Sequence, residues 1–185
     1  MFGAFGDDAR TLPDTAFFRW FKLTVRTRPR LDCDRYQPEG SAFRERVMLD
    51  VELAPPDRIA SLVLHVDRSF IDDERQGAFA ADIVASFLET AAEPGADADD
   101  VAPLVAALRH VMTDRPGVLV RVRTPAPVLP PDVSSPILQA YQGNAERAEL
   151  VLSQTRIRVE NVAGVTPATK DAFRVAVCAR DAIGS

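Results

Sequence analysis

The chain has 185 residues, 46% of them hydrophobic, and a formal net charge of −5. That length and apolar content suffice for a single domain over 1–185 with a sizeable core, needing neither disulfide nor metal, and the acidic balance excludes global attraction to nucleic acid or anionic membrane. The opening MFGAFGDDAR lacks a cationic stretch followed by an apolar run, and no segment approaches the roughly 18 continuous apolar residues of a membrane helix, so the expectation is a cytoplasmic protein with no membrane span.

Residues 1–14 are expected to form a flexible N-terminus. Thr15 to Phe21, which holds the single tryptophan, reads as a helical turn or the start of a first strand. From Phe21 to Pro29 the apolar Phe21, Leu23 and Val25 alternate with Lys22, Thr24, Arg26 and Arg28, the period of a half-buried strand. After the Asp32-Cys33-Asp34 triplet, Arg44 to Leu53 repeats the pattern with Val47, Leu49, Val51 and Leu53 inward. The breaker APPDR, residues 54–58, precedes a third strand, Ser61 to Phe70, burying Leu62, Leu64 and Val66.

Two helical patterns follow. Asp72 or Asp73 caps a stripe of Phe79, Ala80, Ile83, Val84, Phe87, Leu88 and Ala91, spaced by three and four residues. Beyond the EPGADADD breaker, Asp99 or Asp100 caps a second stripe of Val101, Leu104, Val105, Leu108 and Met112, with Pro103 placed in its first turn. Val118, Val120 and Val122 then alternate with Arg121 and Arg123 as a strand. The Pro-rich stretch 124–136 reads as a loop, and Ile137 to Tyr141 as either a short edge strand or a helical turn. Val151, Ile157 and Val159 share a parity, as do Phe173, Val175, Val177 and Ala179. The order β-β-β-α-α-β-β-β predicts an α+β fold: a mostly antiparallel sheet of about six strands with two helices packed on one face.

Chemistry-bearing patterns are weak. His65, Asp67 and Ser69 are triad-type residues, yet neighbours two apart on a strand stand roughly 7 Å apart and do not converge as a nucleophilic triad must. Asp72, Asp73 and Glu74, and likewise Asp97, Asp99 and Asp100, lack the spacing of a calcium loop and suit helix starts instead. Cys33 and Cys178 have no zinc-ligand spacing, and the two carboxylates flanking Cys33 disfavour its thiolate, so both read as buried free thiols. His110 reads as a surface residue. No phosphate-cradling glycine loop and no familiar hydrolase motif occurs, so no cofactor, metal or catalytic residue is assigned.

What organises many residues is arginine. The helical portion, 68–115, is acidic, whereas the positions opposite the apolar parity on the strands carry Lys22, Arg26, Arg28, Arg44, Arg46, Arg121, Arg123, Arg156, Arg158, Arg174 and Arg180. If helices cover one face, these cations gather on the other. The favoured reading is therefore a non-enzymatic binding or accessory protein that engages an acidic protein segment or an anionic small molecule, with Arg26, Arg28, Arg121, Arg123, Arg156 and Arg158 as binding residues. Nucleic acid is the least favoured partner. Set against this is a solvated lattice in which the arginines pair with Asp50, Glu52, Glu45, Glu149 and Glu160 across strands. Two further alternatives are an enzyme with its site near His65, Asp67 and the following helix N-terminus, using Arg68 or Arg75 to hold an anionic substrate, and a self-associating structural protein or homo-oligomer.

Overall fold

A computed structural model describes residues 8–92, 97–113, 131–163 and 171–179. Among these residues there is one sheet of seven strands rather than about six: β1 (Val25–Arg30), β2 (Cys33–Gln37), β3 (Val47–Ala54), β4 (Arg58–Asp67), β5 (Arg147–Val151), β6 (Thr155–Ala163) and β7 (Asp171–Ala179). Every neighbouring pair is antiparallel, in the spatial order β1-β2-β3-β4-β7-β6-β5. The expected strand over 118–123, with Arg121 and Arg123, lies outside the described residues, as does Arg180.

The period-two pattern works where one face is apolar. Val47, Leu49 and Val51 of β3, Leu62, Leu64 and Val66 of β4, Ile157 and Val159 of β6, and Phe173, Val175 and Val177 of β7 are all buried in one core. Their registers align, Leu49 with Leu64, Leu64 with Val175, and Val175 with Val159, so the apolar side chains form continuous rows across strands. Helices cover that face. They are α1 (Ala16–Trp20), α2 (Ser41–Arg44), α3 (Arg68–Asp72), α4 (Gly77–Ala91), α5 (Ala98–Thr113) and α6 (Pro131–Tyr141). Helix α4 lies on β4 and β7, α6 lies on β5 and β6, and α5 packs outside against α4 and α6.

Several boundaries differ from the sequence reading. The supposed flexible N-terminus contains a 3-10 helix, Ala9–Asp14, whose Leu12 is buried. The third expected strand stops at Asp67, because its carboxylate accepts the Ser69 N–H and caps α3, which takes Phe70 out of the sheet. Asp73 does serve the next helix, accepting the Arg75 and Gln76 N–H groups ahead of α4. Helix α5 begins at Ala98, so Pro103 falls beyond the first turn and removes one donor from the helical ladder. The end of the expected Pro-rich loop is not a loop: α6 opens at Pro131, whose missing N–H costs nothing in a first turn, and it continues through Pro136 to Tyr141.

The turn after α6 depends on Gly143, at φ 81°. A Cβ there would sit 3.2 Å from Nη2 of Arg68, whose guanidinium is held by both Asp72 oxygens and the Tyr141 carbonyl. Gly143→Ala combines a left-handed backbone with that contact. It should lower stability by about 1 kcal/mol or more, read as a lower urea midpoint at unchanged slope.

Candidate functional site

The sequence reading treats β1 as a strand whose alternation starts at Phe21, and the structure inverts that alternation. Lys22 has φ 49°, a left-handed conformation for a residue with a side chain, and it turns the chain from α1 into β1. The parity counted through Phe21 and Leu23 therefore does not carry into the strand. Arg26 pairs in register with Tyr36, which pairs with the core residue Leu49, so Arg26 projects on the helix-covered side. Arg28 joins it there, because both arginines bond the same carboxylate. Asp34, 1% exposed, accepts from Arg26 Nη2 and, at 2.8 Å, from Arg28 Nε. Burial alone would raise the Asp34 pKa, but hydrogen bonds from Arg28 and Arg26 outweigh it and hold the carboxyl below its ordinary value.

The open face is built by the opposite parity. In one row Arg35 pairs with Asp50, Asp50 with Val63, Val63 with Ala176, Ala176 with Arg158, and Arg158 with Glu149. The next row runs through Glu52, Ser61, Cys178, Arg156 and Val151, and another through Met48, His65, Arg174, Glu160 and Arg147. Of the arginines expected here, Arg156, Arg158 and Arg174 belong to this face. Arg44 lies in α2, and Arg46 reaches Gln76 and the Phe70 ring at the sheet end. Met48, Val63 and His65 are nonetheless buried, consistent with long charged side chains covering them with their stems.

Ion pairs run through this surface. Arg35 grips Asp50 through two bonds of 2.6 and 2.8 Å, and His65 Nε2 stands 3.4 Å from the same carboxylate. Burial pushes the Asp50 pKa upward most strongly, yet hydrogen bonds and charge from Arg35 and His65 together bring it to about 2. Glu52 is filled by the Ser61 hydroxyl at 2.5 Å and Arg30 at 3.3 Å. On the β5–β6 side the pairing is thinner. Arg156 and Arg158 share a single carboxylate, Glu149, at 3.3 and 3.5 Å, while Arg174 stands 3.2 Å from Glu160. The Nε–H groups of Arg156 and Arg174 are buried and have ion-pair contacts but no hydrogen-bond acceptor among the described residues.

These three arginines line one side of a depression of about 240 Å³ in the open face. Its floor is Val63, Ala176 and Cys178, and Glu52 and Ser61 stand across from the arginines. The small floor residues leave room that longer side chains would fill. Cys178 is a free thiol whose pKa is raised by burial, as is that of the buried Cys33. Neither has thiolate character.

The arrangement near His65 is of another kind. Asp67 is occupied as the α3 cap, accepting from both the N–H and hydroxyl of Ser69 at 3.0 Å, while His65 turns to Asp50. The three residues thus do not form a relay. Arg68 lines a cleft of about 480 Å³ with Gly143, Asn161 and Asp171, but its donors are committed to Asp72, Tyr141 and Asn161. Three of the acidic groups, Asp72, Asp73 and Asp97, have structural partners too. Asp97, fully buried, accepts from the Ser153 hydroxyl at 2.6 Å and the Gln154 N–H at 3.2 Å, tying the start of α5 to the β5–β6 turn. Among the described residues no group of His, Cys, Asp and Glu is arranged to hold a metal ion, and no helix is long and apolar enough to cross a membrane.

The fold and this surface define a class: an α+β domain with a helix-covered sheet and an open, ion-paired opposite face. Comparison with protein-family models, curated proteins and solved structures finds no match to this chain.

Proposed function

We propose that the protein is a non-enzymatic binding or accessory protein that takes an anionic group, on a small molecule or an acidic partner, in the depression bounded by Arg156, Arg158 and Arg174. The observation that carries this reading is the sharing of one carboxylate, Glu149, by two arginines that both line the depression. Elsewhere on the face the carboxylates are matched or saturated, as with Arg35 and Asp50 or with Glu52. Here one positive charge is left over. Among the described residues the Nε groups of Arg156 and Arg174 meet their carboxylates at 3.3 and 3.2 Å without hydrogen-bond geometry, so these guanidinium groups are held less tightly than Arg35 is by Asp50. The apolar floor favours a ligand with a compact carbon body behind its acid group.

The test is capture of partners and anionic metabolites from the native host by the wild-type protein and by a variant with Arg156→Glu and Arg158→Glu. Charge reversal on the solvent side of one strand should leave the circular dichroism spectrum intact. It should cut recovery of the bound species by at least about tenfold, since each charge-assisted bond is worth about 1.5–3 kcal/mol. Recovery at the wild-type level would sink the reading and leave the face as a solvated lattice.

A further inference from the structure

Arg26 and Arg28, which the sequence pattern singles out and the fold moves to the helix-covered side, border a second surface. Two recesses, of about 290 and 460 Å³, share Pro13, Arg26 and Tyr36 and so form one trough between the N-terminal 3-10 helix, α1 and the edge strand β1. Arg10 and Arg28 line the first recess and Arg19 and Lys22 the second, with Arg26 at the junction. Against these five cations stand two lining carboxylates, Asp34 and Asp57. Both sit in the first recess and both are paired, Asp34 with Arg26 and Arg28, and Asp57 with Arg10 at 3.3 Å. The second recess has no carboxylate in its lining at all.

Two further carboxylates stand just outside the lining, Asp8 at 3.8 Å from Arg10 and Asp14 at 4.0 Å from Arg19, so the trough keeps a surplus of one positive charge on a chain of net charge −5. Its walls are also preorganised. Asp34 anchors Arg26 and Arg28 from beneath while both side chains remain about half exposed, at 54% and 47%. The backbone around Lys22 is fixed on both sides, since its carbonyl accepts the Thr24 and Glu39 N–H groups at 2.8 and 3.0 Å. Next to Arg19 in the chain, Trp20 is 72% exposed, the residue type that most often anchors an interface.

We infer that this trough is a docking surface for an extended, acidic segment of a partner protein that carries apolar side chains between its carboxylates. The inference stands independently of the depression on the open face. Sign and shape select the occupant. The cation-lined course shared by the two recesses suits an extended chain, and the exposed ring of Pro13, at their junction, offers carbon to its apolar side chains. A nucleic acid strand is disfavoured, because Phe18 and Tyr36 are buried and present no ring face for stacking, and because Asp34 and Asp57 interrupt the cations. Strand addition along β1 contributes little, since Pro29 lacks a donor and the β1–β2 register shifts between Thr27 and Arg30. Side-chain charge carries the recognition.

The experiment uses the full chain and a fluorescein-labelled peptide alternating glutamate with leucine and phenylalanine, followed by anisotropy. Saturable binding is expected, with a Kd on the order of 1–100 µM that weakens as salt is raised. The Arg19→Glu, Lys22→Glu variant, changed only at exposed positions, should bind at least tenfold more weakly, on the order of the loss expected for two reversed rim charges. The Arg156→Glu, Arg158→Glu variant should bind as the wild type does, which separates this site from the open face. Absence of binding, equal binding of the same peptide with lysine for glutamate, tighter binding of oligothymidylate, or indifference to the Arg19 and Lys22 changes would each overturn the inference. So would sedimentation showing that those changes convert a dimer to a monomer, because the trough would then belong to a second copy of the chain.

Discussion

Replacing Phe173 with alanine is expected to destabilise the protein by about 3–5 kcal/mol, the cost of removing a fully enclosed aromatic ring from a packed core. Phe173 has no exposed surface and sits in β7 between Val66 of β4 and Asn161 of β6. Its ring meets Tyr141, at the end of α6, edge to face at 5.3 Å and 89°. The variant therefore leaves a cavity beneath a helix that the prolines of its sequence disguise. Urea denaturation measures the loss. A change below about 1 kcal/mol would mean that α6 is not seated on the sheet through this ring pair.

Asp50→Asn is expected to cost about 2–4 kcal/mol at neutral pH, because Arg35 loses its partner at a position where neither group is well solvated. The same residue fixes a pH dependence whose sign follows from its pKa. In the folded protein the Asp50 carboxyl lies at about 2 against an ordinary 3.8, so the native state binds its proton less readily than the unfolded chain does. The associated stability, about 2 kcal/mol, is fully present above pH 4 and is lost as pH falls through the range from 3.8 towards 2. Denaturation of the wild type across that range should show this loss, whereas Asp50→Asn should show a shallower fall. The two stabilities should converge as pH 2 is approached; parallel curves would contradict the assignment.

The parts of the fold legible in the sequence are those where burial and apolarity coincide. Strands β3, β4, β6 and β7 are legible because apolar residues hold the core-facing positions at their centres, although Met48 and Val63 on the open face are buried as well, and α4 and α5 show three-and-four spacing for the same reason. Strand β2 escapes that logic. Its inward positions are Asp34 and Tyr36, and Asp34 is tolerated in the interior only because Arg26 and Arg28 reach across from β1. A buried carboxylate with partners supplied by another strand leaves no hydrophobic period to read. The same pairing explains why Arg26 and Arg28 are assigned to the wrong face: nothing local marks Lys22 as left-handed, and one such residue resets the alternation.

Helix α6 is hidden by composition, since Pro131 and Pro136 resemble loop residues unless their positions in the helical turn are known. Among candidate binding residues, Arg156 and Arg158 lie on the expected face because Ile157 and Val159 fix their parity. Arg174, which completes the depression, is visible in the alternation of β7 as one of the outward cations. What sequence alone does not supply is the arithmetic of sharing. That Glu149 serves two arginines follows from the β5–β6 register.

The spatial order of the sheet also has a kinetic consequence. Strands β1 to β4 form one run in which each pairs with its predecessor, and β5 to β7 form another; among the described residues the two pair only where β7 lies against β4. Each run requires only local closure, whereas the β4–β7 seam must bring together segments separated by all three long helices. Such a chain would form its two halves quickly and zip them slowly, since loop entropy is lost before the distant strands reward it. Mutations at the seam, Leu64 and Val175 among them, would then affect the slow joining of the halves, and those within β1–β2 would bear mainly on how fast the edge comes apart.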